Sequence, residues 1–390
     1  MTASIRSNIW KLYTGSFLRE AIFFIPIMVP FFSGLGFSME KIFILEAAYA
    51  AMLVLLEIPS GYFADLYGRK RSIIIGSLFE FLGITIFVFS GSFVGFLIGE
   101  IIIGIGASFC SGAEEAMVYE TLLESGEEEH YKKIQGDIFF YARVASTVSN
   151  VAGAFLAAVF LRLPFYATLV PWGLWVLINF TLIEPKQYEK EFETWKHFKR
   201  ICKESFVDNK KLRYFLIYAA IPPGFFLMSF WLYQNYMGFA GLPIFYFGIV
   251  IAAMNIFSGL GSKYAKELEE KLTPKVSLII IPIAGILVWV IFASFKSLWL
   301  LPLMFITGTL WGFVAPIIND FIHRIVSSDR RATVLSIRSF LTRGIFLLLA
   351  PFLGWVADIY TIQSAFLVAA IILFVLAAIS LATLRAVKIL

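Results

Sequence analysis

A helix that crosses a bilayer needs about 20 consecutive, mostly apolar residues, and this 390-residue chain contains twelve such runs in series. Their approximate bounds are 11–32, 41–64, 72–90, 93–117, 137–161, 165–183, 212–237, 243–262, 276–294, 298–318, 332–357 and 362–386. Composition agrees, because 59% of the residues are hydrophobic and 15% charged, where a soluble domain carries about 25% charge. The expected fold class is an all-α integral membrane protein with twelve transmembrane helices. A net charge of +5 does not make it a nucleic-acid binder, since the basic residues sit in loops between apolar runs and form no single face. The two cysteines, Cys110 and Cys202, offer neither a disulfide framework nor metal spacing. Residues 1–10 read as a cytosolic lead-in, not a cleaved signal.

An even number of spans puts both termini on one side. With the N-terminus inside, the outer loops hold only Lys41, Arg162 and Lys296 of the 32 lysines and arginines, and four arginines lie within spans. That bias places both termini in the cytoplasm. The longest inner segment, 185–211, begins at Pro185 and is strongly charged. It separates an N-terminal six-helix bundle, 1–184, from a C-terminal one, 212–390. A shift of 202 residues lays Ile42-Phe43 on Ile244-Phe245, Ala50-Ala51-Met52 on Ala252-Ala253-Met254, and Asp65 on Glu267. Matches in one register, falling on the second span of each half, are what duplication of a six-helix unit leaves behind. The two bundles are therefore expected to be pseudo-symmetric.

Between the second and third runs lies the polar stretch Gly61-Tyr-Phe-Ala-Asp65-Leu-Tyr-Gly68-Arg69-Lys70-Arg71. Gly61 would let the second helix pack closely, Gly68 would take positive φ in a tight turn, and Asp65 would meet a helix N-terminus or an arginine across the bundle interface. Gly61, Asp65, Gly68, Arg69 and Lys70 in this slot resemble the G-x-x-x-D-x-x-G-R-[KR] signature of the major facilitator superfamily. The resemblance covers essentially the whole chain. It implies alternating access, with this element gating the cytoplasmic side together with Glu57 and the start of the eleventh span at Arg338. The second-half counterpart, Gly259 to Glu267, has lost the pattern.

Ionisable residues at bilayer depth are costly and mark functional positions. Arg19 and Glu20 are adjacent in the first span; successive helical residues point about 100° apart, so the two should have different partners. The resemblance implies that the first, fourth, seventh and tenth helices line the cavity, which makes Glu20 a site for a proton or a substrate cation. Glu100 in the fourth span is the strongest coupling candidate. Drug/proton exporters of the family often have arginine in an R-x-x-x-G setting there, whereas this chain has Glu100-Ile-Ile-Ile-Gly104. Glu114 and Glu115, near the cytosolic end, read as structural, and Glu80 as scaffold. Arg143 and Arg343 lie 200 residues apart, close to the repeat shift. They either bind an anionic group of the substrate or neutralise Glu20, Glu46, Glu57 and Glu100. In the seventh span Pro222-Pro223 should break or bend the helix. Trp231 to Tyr236, including Asn235, form either an interfacial aromatic belt or, with Asn255 and Trp311, a substrate surface.

No catalytic cluster, metal-ligand set or phosphate loop is present, and His130, His197 and His323 fall in loops. The reading is a transporter without cofactor or metal, not an enzyme. It would carry a small organic molecule, by proton-coupled efflux, through the plasma membrane of a bacterial or archaeal cell. Its partners would be substrate, lipid and protons, and it would act as a monomer. Uptake symport or facilitated diffusion is the alternative within transport, and a non-transporting receptor or scaffold of the same fold is the alternative outside it.

Overall fold

The computed structural model describes residues 4–186, 206, 209–326 and 330–389, without the side chains of 274, 323 and 332. Most of the 185–211 linker, with His197 and Cys202, lies outside those residues, as does the His323 side chain. Among the described residues twelve helical segments are long and apolar enough to cross a membrane, from Ser7–Gly34 to Ile362–Ala386. Each corresponds to one of the twelve apolar runs, with ends moved by a few residues. The protein is a multi-pass, all-helical membrane protein.

The described residues group into two compact units. One comprises Met1–Phe37, Ile44–Glu191 and Ile244–Ala252; the other comprises Ser38–Phe43, Phe192–Pro243 and Ala253–Leu390. Within the second unit, Asp358 accepts from the Met39 and Glu40 backbone N–H groups at 2.8 Å each, which satisfies the open N-terminus of the second span. Within the first unit, Gly248 lies against the Asn150 carbonyl, and Phe245 stacks on Phe155 at 6.3 Å. The two outlying segments are thus the starts of the second and eighth spans, the same spans that the 202-residue shift superposes.

Glycines set the close approaches. At Gly104 of the fourth span (Phe93–Ser125) a Cβ would lie 2.8 Å from the Met52 Cβ and 2.9 Å from the Tyr49 carbonyl. At Gly308 of the tenth span (Leu298–Ile322) it would lie 2.8 Å from the carbonyl of Met254, the shift partner of Met52. The fourth span turns another face to the third, where Ser72 donates to the Phe109 carbonyl at 2.7 Å and Gly106 abuts Glu80. Gly61 does not share this role: among the described residues nothing lies within 4 Å of the place a Cβ would take.

Two helix interruptions differ from expectation. The seventh span, Lys210–Phe239, runs unbroken through Pro222 and Pro223. It is the most enclosed of the spans, with 83% of its apolar window buried against 33–50% for the others. Neighbouring helices that pack a proline-bearing helix on all sides supply what the missing N–H groups forfeit. The break falls instead in the first span, where a helix Ser7–Glu20 ends and a second, Met28–Gly34, follows a short turn. Pro26 opens the new segment, and a proline biases the residue before it away from helix. The Arg19 carbonyl freed by the break accepts from Trp172 Nε1 at 2.9 Å, and the Phe23 N–H donates to Thr168 Oγ1 at 3.1 Å.

The polar stretch 61–71 ends the second span, which runs to Tyr67, and opens the third at Arg69, with Gly68 as the turn between them. Gly68 has φ +104°, and a Cβ there would sit 2.6 Å from a Glu184 carboxylate oxygen. Glu184 accepts from the Arg69 and Lys70 backbone N–H groups at 2.6 and 3.0 Å, closing the N-terminus of the third span. Burial raises the Glu184 carboxyl above the ordinary carboxylate range, against the opposing pull of those two donors. Arg69 binds Asp65 at 2.5 Å and Glu120 at 3.1 Å. Asp65 therefore engages the arginine of its own motif, one turn on. Gly68→Ala meets both a forbidden φ and an occupied space, so it should lower stability by on the order of 1–3 kcal/mol. Thermal unfolding of the purified protein in detergent, with Gly61→Ala as the tolerant comparison, measures this.

Candidate functional site

The first unit contains a cavity of about 230 Å³ among the first, fourth, fifth and sixth spans. Arg19, Glu20, Glu114, Glu115, Gln135, Arg143, Trp175 and Asn179 give it its polar character. The break in the first span lies at its edge, so Arg19 and Glu20 come from the last turn of a half-helix.

The charges separate into a fixed group and an open pair. Arg19 grips Glu80 with two contacts, of 2.5 and 3.2 Å, and reaches Glu114 at 2.9 Å, with its guanidinium 5.1 Å from the centre of the Trp175 ring. Two carboxylates take three of the five N–H donors of this guanidinium beside an aromatic face, and a planar fork holds such an arrangement rigidly. Glu20, pointing elsewhere, meets Arg143 at 3.4 Å, and these side chains are 35% and 46% exposed. That contact is long, solvated and weak, so an arriving solute can exchange with either partner at small cost. Beside it, the Nδ2 of buried Asn179 and the Oε1 of Gln135 have no hydrogen-bond partner among the described residues. One is a donor without an acceptor and the other an acceptor without a donor. Both atoms are themselves buried, so the wall of the cavity holds unsatisfied polar groups just beneath its surface.

The second unit has a smaller cavity of about 190 Å³, among the seventh, eighth and tenth spans. Asn255 and Trp311 line it together with Phe226, Phe230, Ser258 and Thr307. It contains no charged residue and is mainly aromatic with small polar groups.

The sequence model of the Major Facilitator Superfamily matches residues 12–351 of this chain, most of its length and both cavities. The chain belongs to the major facilitator superfamily. It is 30% identical over 219 residues to an uncharacterized transporter of Buchnera aphidicola, covering 54% of this chain and 52% of that one. It is 27% identical over 107 residues to an uncharacterized MFS-type transporter of Methanocaldococcus jannaschii, covering 27% and 28%. The matched stretch thus spans about half the length of the first of these relatives and about a quarter of the second. Among solved structures, the fold is similar to that of the nucleoside transporter NupG in mutant form, with TM-score 0.81 and 17% identity over 96% of this chain and 99% of that one. It is also similar to a peptide-transporter-family (POT) protein in complex with 5-aminolevulinic acid, with TM-score 0.76 and 10% identity over 99% and 100%. A D-xylose–proton symporter gives TM-score 0.70 and 13% identity over 95% and 98%. At such identities the likeness is one of fold. This chain is a membrane transporter of the major facilitator type.

Within this transporter, Arg19, Glu20 and Arg143 meet in the first cavity, and Asn255 and Trp311 in the second. Asn235 and Arg343 line neither cavity. Glu100 lies apart from the first cavity, buried beside the second span. Arg338 donates to Asn319 Oδ1 at 3.0 Å. Trp231 to Tyr236 include no interfacial belt at Tyr233 and Tyr236: both are fully buried, with Trp289 Nε1 donating to the Tyr233 hydroxyl at 3.1 Å and Phe292 and Phe366 packed around them. Glu80, expected to be scaffold, is a direct partner of Arg19. Sequence reasoning missed Gln135, Trp175 and Asn179; the last two, at i and i+4 on the sixth span, share one helix face, and a buried amide beside tryptophan was the available signal.

The fixed and open pairs predict different responses. Arg19→Ala strands two carboxylates and should cost roughly 3–5 kcal/mol. Arg143→Ala should change stability by less than about 1 kcal/mol. Parallel thermal-unfolding curves in detergent test this, and equal losses would contradict the distinction.

Proposed function

We propose that this chain is a secondary active transporter that exports a small organic molecule in exchange for protons. Two six-helix bundles, 1–184 and 212–390, alternate access to a central path, with both termini in the cytoplasm of a bacterial or archaeal cell and the chain acting as a monomer. The observation that carries the reading is the open Glu20–Arg143 pair beside the two unsatisfied amide groups of Gln135 and Asn179. The pair is exposed and weakly held, as suits a passenger that must also leave.

The chemistry of the cavity narrows the passenger. A solute carrying an amino group toward Glu20 or an anionic group toward Arg143 uses the exposed pair of the cavity. Relatives in fold include a nucleoside transporter, a peptide-transporter-family protein and a sugar–proton symporter, and at 10–17% identity the fold leaves the choice to these residues. The aromatic and amide groups of the second cavity, Asn255 and Trp311 among them, suit an apolar or aromatic solute with few polar groups. Asp65, Gly68, Arg69 and Lys70, with Glu57 and Arg338, would form the cytoplasmic gate.

Solutes that stabilise the purified protein in a concentration-dependent manner identify the passenger. Those solutes are then tested for flux in proteoliposomes with and without an imposed pH gradient. Gradient-driven flux in the wild type should fall about tenfold or more in Glu20→Gln, a loss of about 1.4 kcal/mol or more of driving interaction. Flux indifferent to the gradient, with Glu20→Gln and Glu100→Gln fully active, would replace exchange by facilitated diffusion. No flux for any stabilising solute would favour a receptor of this fold.

A further inference from the structure

The first cavity leaves one pair of buried charges unused. Glu46 of the second span and Glu100 of the fourth are 9% and 5% exposed. Both spans belong to the same unit, run in the same direction and touch where Gly104 meets Tyr49 and Met52. Glu46 lies three residues before Tyr49 and Glu100 four before Gly104, about 4.5 and 6 Å along their axes from that contact at 1.5 Å per residue. The two carboxyl groups therefore stand at one level on neighbouring helices that a glycine has drawn together, and they act on each other electrostatically.

No cation answers them. Among the described residues neither carboxyl makes an ion pair or a hydrogen bond, and Glu46 Oε1 is buried without any partner. The nearby acid on the third span, Glu80, is packed against Gly106 and held by Arg19 together with Glu114. Among the described residues no charged group besides Glu100 acts on Glu46, and none of opposite sign acts on Glu100. Two adjacent carboxylates at membrane depth without a counter-charge are far too costly to persist.

The fold does not require them. Under the 202-residue shift, Glu46 falls on Gly248, and the neighbour of Met254 in the second half is built by the tenth span at Gly308, with Met304 buried four residues earlier. The close contact of Gly308 with Met254 thus forms in the second half without an acid at either corresponding position.

We propose that Glu46 and Glu100 form one proton site, a carboxyl and a carboxylate sharing a single proton, which binds and releases that proton during the transport cycle. The role in the cycle rests on the transport reading above; the site itself does not. A proton fits better than a metal ion, because hard cations take six or more oxygen ligands and no third acidic residue, histidine or cysteine joins the pair in a metal-binding group among the described residues.

Infrared difference spectra of the purified protein, titrated with pH in potassium chloride, read protonated carboxyl groups directly. The wild type should show a titrating carboxyl band that the Glu46→Gln/Glu100→Gln double variant lacks. In Glu46→Gln the remaining Glu100 should lose its proton at a pH lower by about one unit or more, because the like charge is gone. Glu46→Asp, which keeps a carboxyl but draws it back, should shift the midpoint in the same direction and serves if the glutamine variant does not purify. A wild-type band identical to that of the double variant, or a Glu100 midpoint unmoved by either change at Glu46, would overturn the site. Loss of the band on replacing potassium by sodium at constant pH would also overturn it, in favour of a sodium site. Flux that ignores a pH gradient while the wild-type band still titrates would remove the pair from the transport cycle and leave the proton site standing.

Discussion

A guanidinium inside an apolar helix bundle organises the first unit. Arg19 ties the first span to the third through Glu80 and to the fourth through Glu114, rests on Trp175 of the sixth, and offers its own carbonyl to Trp172. Such a charge is tolerable in hydrocarbon only when it is paired, so the four spans are held to one arrangement. That arrangement makes the interruption of the first span possible. Thr168 and Trp172 take up backbone groups that the helix releases, and Gly153 leaves room for the Phe23 carbonyl. Because a carbonyl or N–H left bare in a membrane costs several kcal/mol, the break can exist only where these side chains stand.

The number and order of spans were legible because the bilayer imposes a length that few other constraints produce. The turn at Gly68 was legible for a local reason, since positive φ and a following run of basic residues identify a capped helix start. The partners of charges were less legible. Arg19 and Glu20 were expected to diverge, and they do. That Arg19 would find Glu80, sixty-one residues on, depends on which helices neighbour each other, and periodicity contains no such information. Pro222-Pro223 misled in the opposite sense. A proline pair weakens a helix on its own, but burial on every side restores it, while the modest Pro26 coincides with a break because Arg19 and Glu20 had already drawn that segment to polar partners.

Duplication explains the symmetry of the helix contacts and isolates what function has added. Gly104 against Met52 and Gly308 against Met254 are two copies of one solution to close packing. The starts of the second and eighth spans, likewise related, each leave their immediate sequence neighbours to join the other grouping of residues. Around this common frame the halves diverge in chemistry. The first cavity is lined with charges and amides, and the second with aromatic rings and hydroxyls.

Glu184 caps a helix that begins 115 residues before it. During synthesis the third span emerges well ahead of the residue that will satisfy its first N–H groups, and until the sixth span is complete only water can serve them. The turn at Gly68 therefore stays open at the membrane surface while half the first unit is being made, and it closes when the chain reaches the end of the sixth span. In assembly, the third span can receive this cap only after the residues that follow the sixth span have been made.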